Sequence, residues 1–151
     1  MGLYERILVP TDGSEGVERA VQHAIDLAHV HGATVHALYV VNVASHSTLP
    51  MEGAFEGVSE MLRADAEDAV GMVEAVGDDF DVPVDTAIIE GSPSTEIVRY
   101  AEREDCDLVV MGTHGRGGID RLLLGSVAEK VVRGSNVPVL TVRVGEDGGS
   151  M

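Results

Sequence analysis

Along this chain, short apolar runs rich in β-branched residues alternate with longer stretches whose apolar residues recur at helical spacing. Tyr4–Pro10 (YERILVP) predicts a first strand that stops at proline. A helix follows from about Ser14, with Val17, Ala20, Val21, Ala24, Ile25 and Ala28 on one face. Ser14 suits its N-cap, Glu15 and Glu18 suit its positive end, and Gly32 ends it. Ala33–Val43 (ATVHALYVVNV) predicts a second strand, apolar enough to be buried on both faces. A linker with Ser, Thr, Pro and Gly is expected from Asn42 to about Gly57. Val58, Met61, Leu62, Ala66, Ala69, Val73 and Val76 then mark a long amphipathic helix ending near Gly77. Val82–Glu90 predicts a third strand. Ser92-Pro93 predicts a helix start with Ser as cap and Pro at its first position, followed by Ile97, Val98 and Ala101. Cys106–Met111 predicts a fourth strand and Ser126–Arg133 a last helix stopped by Gly134. Val137–Val144 predicts a fifth strand, and the remaining EDGGSM a frayed acidic tail.

Strands alternating with helices in this order imply an α/β fold: a Rossmann-like three-layer α/β/α sandwich around a five-stranded parallel sheet. The 151 residues match a single domain, expected over 1–144 with 145–151 as a flexible tail. In such sheets ligands bind beyond the carboxyl ends of the strands, where the winding reverses. A first strand lying at the centre beside the fourth puts Asp12 and the loop after Met111 at that crevice.

Charge narrows the partners. Ten Lys+Arg against 26 Asp+Glu give a net charge of −16, and only Lys130 is a lysine. A surface this acidic repels nucleic-acid phosphate and anionic lipid, so neither is expected as a partner. Surplus carboxylate with almost no lysine fits a halophilic protein, because high salt screens the self-repulsion. One cysteine, Cys106, cannot form an internal disulfide, and no apolar run approaches the roughly 20 residues of a membrane span. MGLYERILVP lacks the layout of a signal peptide and MGLYER lacks the pattern for myristoylation, so a cytoplasmic location is expected.

The densest chemistry follows the fourth strand: VMGTHGRGGIDRLLLGSVAEKVV, from Val110. Gly112, Gly115, Gly117 and Gly118 allow successive backbone N–H groups to turn toward an anion. Gly125-Ser126 opens a helix, adding its first N–H groups, its positive dipole end and a hydroxyl. Glycines alone mark any loop, but strand, glycine-rich loop and helix start together point to a phosphate cradle that needs little side-chain charge. Arg116 is the nearby cation. The first β-α turn, PTDGSEG, has no GxGxxG, and no GxxxxGK[ST] occurs.

Gly112-x2-Gly115-x9-Gly125-Ser126 resembles the G-2x-G-9x-G-[ST] motif of the ATP-binding branch of the universal stress protein family. RILVPTDGSE at Arg6–Glu15, the ALYVV of the second strand and SNVPVLTVR at Ser135–Arg143 are similar to that family's other blocks. The resemblance implies a sheet of order 3-2-1-4-5. It implies that Pro10, Thr11 and Asp12 line the adenosine end, with Asp12 accepting from adenine or ribose hydroxyls, and that the backbone of Val40 meets the adenine edge. Met111, Gly112, Thr113, His114, Gly115, Arg116, Gly117 and Gly118 would wrap ribose and phosphates, and Gly125, Ser126, Val127 and Ala128 would meet the phosphates. The implied ligand is ATP, or ADP or AMP, with Mg²⁺ held mostly by phosphate and water.

No catalytic residue and no resident metal site are assigned. His114 is expected to face solvent. His23, His29, His31, His36 and His46 have no metal spacing with Cys106, and His29 and His31 suit a helix C-terminus. Cys106 is expected to be a small buried hydrophobe. Asp78-Asp79-Asp81 and Glu102-Glu104-Asp105 are expected to be solvated acidic surface. The fifth strand would be an apolar edge, blunted only at Pro138, and pairing with a second copy gives a homodimer through Val137–Val144. The function so implied is that of a nucleotide-dependent stress-response or signalling protein. A dimeric interaction module with an unused site, and a slow ATPase without an evident general base, are the alternatives.

Overall fold

A computed structural model of the chain describes residues 3–13, 17–42, 52–113 and 125–143, with backbone alone over 52–62. The elements run β1 (Arg6–Pro10), α1 (Val17–His31), β2 (Thr34–Val41), α2 (Glu52–Asp79), β3 (Val84–Glu90), α3 (Pro93–Arg103), β4 (Leu108–Gly112), α4 (Ser126–Gly134) and β5 (Val139–Val142). The five strands form one parallel sheet of order β3-β2-β1-β4-β5.

Alternation along the central strands builds two cores. Ile7 and Val9 of β1, Val35, Ala37 and Tyr39 of β2, and Leu108 and Val110 of β4 face one side, packed under α1 and α2. Leu8, Leu38, Val109 and Met111 face the other, under α3 and α4. Because β1 is bonded on both sides and covered on both faces, Ile7, Leu8 and Val9 are wholly buried.

Several element boundaries depart from the sequence pattern, each for a local reason. The long helix starts at Glu52, so the last six residues of the expected 42–57 linker are helical. Gly53 falls in the first turn and Gly57 costs roughly 1 kcal/mol in the helix interior, which hides the start of the helix from a propensity reading. β3 begins two residues late because Val82 N–H bonds Gly77 O at 2.9 Å and so stays with the end of α2. β4 begins at Leu108 because Cys106 N–H still bonds Ala101 O, while the Asp107 carboxylate accepts from Glu5 and Arg6 N–H. β5 begins at Val139 because Ser135 Oγ donates to Val137 O at 2.7 Å and accepts Val137 N–H at 3.0 Å. Ser92 is the N-cap of α3 with Pro93 inside, but its hydroxyl makes no capping bond. Ser14 and the 145–151 tail lie outside the described residues.

His36 is buried among apolar neighbours and keeps polar partners: its Nδ1 lies 2.9 Å from the Tyr100 hydroxyl, and its Nε2 lies 4.0 Å from Asp85 Oδ2. Burial, then the Glu104 carboxylate, pushes the Tyr100 phenol up to about 12. Burial, then the Asp107 carboxylate, pushes the Cys106 thiol up to about 12 as well. His29 and His31 lie in the last turn of α1, as expected, and His31 Nδ1 accepts Leu3 N–H at 3.0 Å.

Two stability predictions follow from this packing. A Cβ on Gly77 would lie 2.5 Å from Val84 Cγ2 and 2.8 Å from the Val82 carbonyl, which backbone connectivity holds in place. Overpacking of about 1–3 kcal/mol exceeds the roughly 1 kcal/mol of helix propensity gained, so Gly77→Ala should lower the denaturant midpoint. The second concerns alkaline pH. Tyr100 and Cys106 are neutral in the fold, with values raised from 10.0 and 9.0. Their contribution is full below pH 9.0 and is lost as pH rises through about 12. Denaturant titrations between those limits should show stability falling, and Cys106→Ala should flatten part of the fall.

Candidate functional site

The strand order reverses at β1, and the consequence is a crevice at the carboxyl end of the sheet. The β1–β2 ladder runs from Arg6↔Thr34 to Pro10↔Leu38, and the β1–β4 ladder covers Ile7↔Leu108 and Leu8↔Val109. Beyond these rungs β2 runs on against β3, to Val41↔Glu90, and β4 runs on against β5, to Gly112↔Val142. The two flanking strands therefore outlast the central one. The segment Pro10-Thr11-Asp12-Gly13 turns away at the floor between them.

On the β2 side of the crevice, backbone orientation decides what is presented. Leu38 O accepts Thr11 N–H at 2.9 Å, so Leu38 points its polar groups toward β1. Val41 O accepts Gly91 N–H at 2.9 Å, so Val41 points toward β3. Alternation then turns Val40 N–H and C=O toward β1, past the last rung. Val40 is half-buried between buried neighbours. It offers one donor and one acceptor at the mouth.

On the β4 side, Thr113 N–H donates to Val142 O at 3.0 Å and Thr113 O accepts Gly125 N–H at 2.7 Å. This bond sets the start of α4 on the end of β4. Gly125 is the N-cap, extended at φ −67° and ψ 162°, and no side chain caps the helix. Glu129 N–H is bonded to Gly125 O. The helix itself offers no acceptor for the N–H groups of Ser126, Val127 and Ala128. Three donors and the positive end of α4 thus stand beside the crevice, where an anion is favoured despite the charge of −16.

The residues expected at the site fall into two groups. Pro10, Thr11, Asp12, Val40, Met111, Gly112, Thr113, Gly125, Ser126, Val127 and Ala128 all lie at the carboxyl end of the sheet. Among them Met111 and Ala128 bury their side chains in the core under α3 and α4, so they can offer backbone only. Thr11 is buried, and its Oγ1 accepts Gly13 N–H at 3.2 Å. His114, Gly115, Arg116, Gly117 and Gly118 lie outside the described residues. The carbonyls of Leu38 and Val142, which anchor the two sides, carry no side-chain signal in the sequence.

The profile of the universal stress protein family matches residues 3–143. Universal stress protein MJ0531 of Methanocaldococcus jannaschii is 43% identical over 141 residues, 93% of this chain and 83% of that protein. The chain belongs to the universal stress protein family. Universal stress protein MJ0577 of the same organism is 32% identical, and the solved structure of MJ0577 superposes with a TM-score of 0.87 over 96% of this chain and 99% of that one. A universal stress protein solved in complex with cAMP is 27% identical, with a TM-score of 0.65 over 94% of this chain and 98% of that one. The family's sheet order, implied by the blocks quoted above, is the order found.

Away from the crevice, no group of three or more His, Cys, Asp or Glu is gathered for a metal among the described residues. Asp78, Asp79, Asp81, Glu102 and Asp105 are exposed, Glu104 is half-buried beside Arg103, and Cys106 is buried. Among the described residues no helix is long and apolar enough to cross a membrane.

Proposed function

We propose that this universal stress protein binds ATP, or its ADP or AMP forms, in the crevice between the ends of β2 and β4. In this reading the protein changes its affinity for a downstream partner with the nucleotide held, in the cytoplasm. The observation that carries it is the bond from Gly125 N–H to Thr113 O, which brings an uncapped helix start to the switch point of the sheet. Val40 supports the base: its N–H and C=O match the N1 acceptor and N6 donor of adenine, whereas guanine offers the opposite pair. The relative in complex with cAMP holds an adenine nucleotide. Asp12, at the floor, would accept from adenine or ribose, and the glycines from Gly112 to Gly118 would wrap the phosphates. Mg²⁺ would accompany the triphosphate and be held by phosphate and water.

Gly125 offers a clean test, because its extended backbone is open to any residue. Gly125→Val removes a favourable N-cap, at about 1 kcal/mol of helix stability, and places a branched side chain where phosphate approaches. In calorimetric titrations at high salt, wild type should bind ATP and the variant should bind at least about tenfold more weakly, a loss of about 1.4 kcal/mol. Equal affinities would remove α4 from the site.

The assembly proposed is a homodimer. β5 is an edge of the sheet, and all four of its residues are half-buried. Pairing with the same strand of a second copy would satisfy that edge by two-fold contact. Sedimentation equilibrium should give twice the chain mass; a single chain mass at working salt would refute the dimer.

A further inference from the structure

A threonine hydroxyl meets the backbone where β1 stops. In register, the rung after Pro10↔Leu38 would be Asp12↔Val40, and it would need Gly13 N–H on the Val40 carbonyl. The structure gives that N–H another acceptor, Thr11 Oγ1 at 3.2 Å. Gly13 takes a left-handed φ of +77° to make the turn, a conformation that glycine adopts without a Cβ clash. Thr11 is itself fixed from two directions: its N–H is held by Leu38 O at 2.9 Å, and the residue is only 6% exposed. The hydroxyl so placed reaches out from a buried residue to the amide of exposed Gly13, in a part-buried hydrogen bond.

We infer that Thr11 is a positioning residue, whose hydroxyl oxygen draws Gly13 N–H away from Val40, ends the β1–β2 ladder one rung early and so keeps Val40 N–H and C=O open to an adenine edge. The inference rests on the nucleotide reading for its ligand. It goes beyond that reading in having Thr11 act through the backbone of Val40 instead of by touching nucleotide. The chemistry required is an acceptor one bond beyond Cβ: serine keeps it, valine keeps the shape and loses it, alanine loses it without added bulk.

The test compares wild type with Thr11→Ser, Thr11→Val and Thr11→Ala in isotope-labelled protein, reading through-hydrogen-bond couplings and ligand titrations together. In Thr11→Val and Thr11→Ala a new coupling from Gly13 N–H to the Val40 carbonyl should appear. Affinity for ATP and adenosine should fall by about tenfold, the worth of one lost neutral hydrogen bond, while affinity for inorganic tripolyphosphate stays at the wild-type value. Thr11→Ser should show neither change. Unchanged ATP affinity in both acceptor-less variants, or equal loss of ATP and tripolyphosphate, would overturn the inference. Should wild type bind no adenine nucleotide, the nucleotide reading fails by itself. The Gly13–Val40 coupling then decides the ladder claim alone: its appearance in the acceptor-less variants upholds it and its absence overturns it.

Discussion

A parallel strand bonded on both sides loses its neighbours where the winding of the sheet reverses, and here that strand is β1. Its short run, Arg6–Pro10, is held by β2 on one side and β4 on the other. Both neighbours continue past it toward partners of their own. The crevice is therefore a product of topology, present before any side chain is chosen. What the sequence adds is chemistry at its rim: a turn that starts with Thr11, a donor and acceptor on Val40, and an uncapped helix on the far side.

The division of labour between the two sides follows from charge. With few cations available, the proposed nucleotide reading gives recognition to backbone groups whose partial charges cost no net charge: the ladder end on β2 and the helix end on β4. Such groups work only if the frame holds them still. The frame here is two dry cores on either face of a sheet whose central residues are wholly buried.

The five strands, four helices and their alternation were legible because burial on both faces demands uninterrupted apolar runs such as ILV at Ile7–Val9 and LVVM at Leu108–Met111. The glycine spacing from Gly112 to Gly125 pointed to the end of β4 and the start of α4, which a backbone bond sets side by side. The start of α2 was not legible, because Gly53 and Gly57 give the first turns of that helix the composition of a loop. Strand starts at Val84, Leu108 and Val139 were missed by two residues each, since the bonds that delay them are backbone contacts or a local serine turn. The role of Thr11 was hidden for a similar reason. Its letter suggests a hydroxyl facing a ligand, whereas its surroundings turn that hydroxyl onto the next-but-one amide.

The bond between Thr113 and Gly125 has a consequence for how this architecture can vary. The chain leaves the sheet at Thr113 and returns at Gly125, so this bond closes an excursion of the chain. The entropy of closing such an excursion grows logarithmically, by about 0.6 kcal/mol for each doubling in length. A change in the number of residues between these two anchors therefore alters the cost of closure only weakly, while the bond itself fixes the start of α4 on the end of β4. The two anchors thus make a fixed doorway in the backbone, through which chain of differing length can pass at the carboxyl end of the sheet.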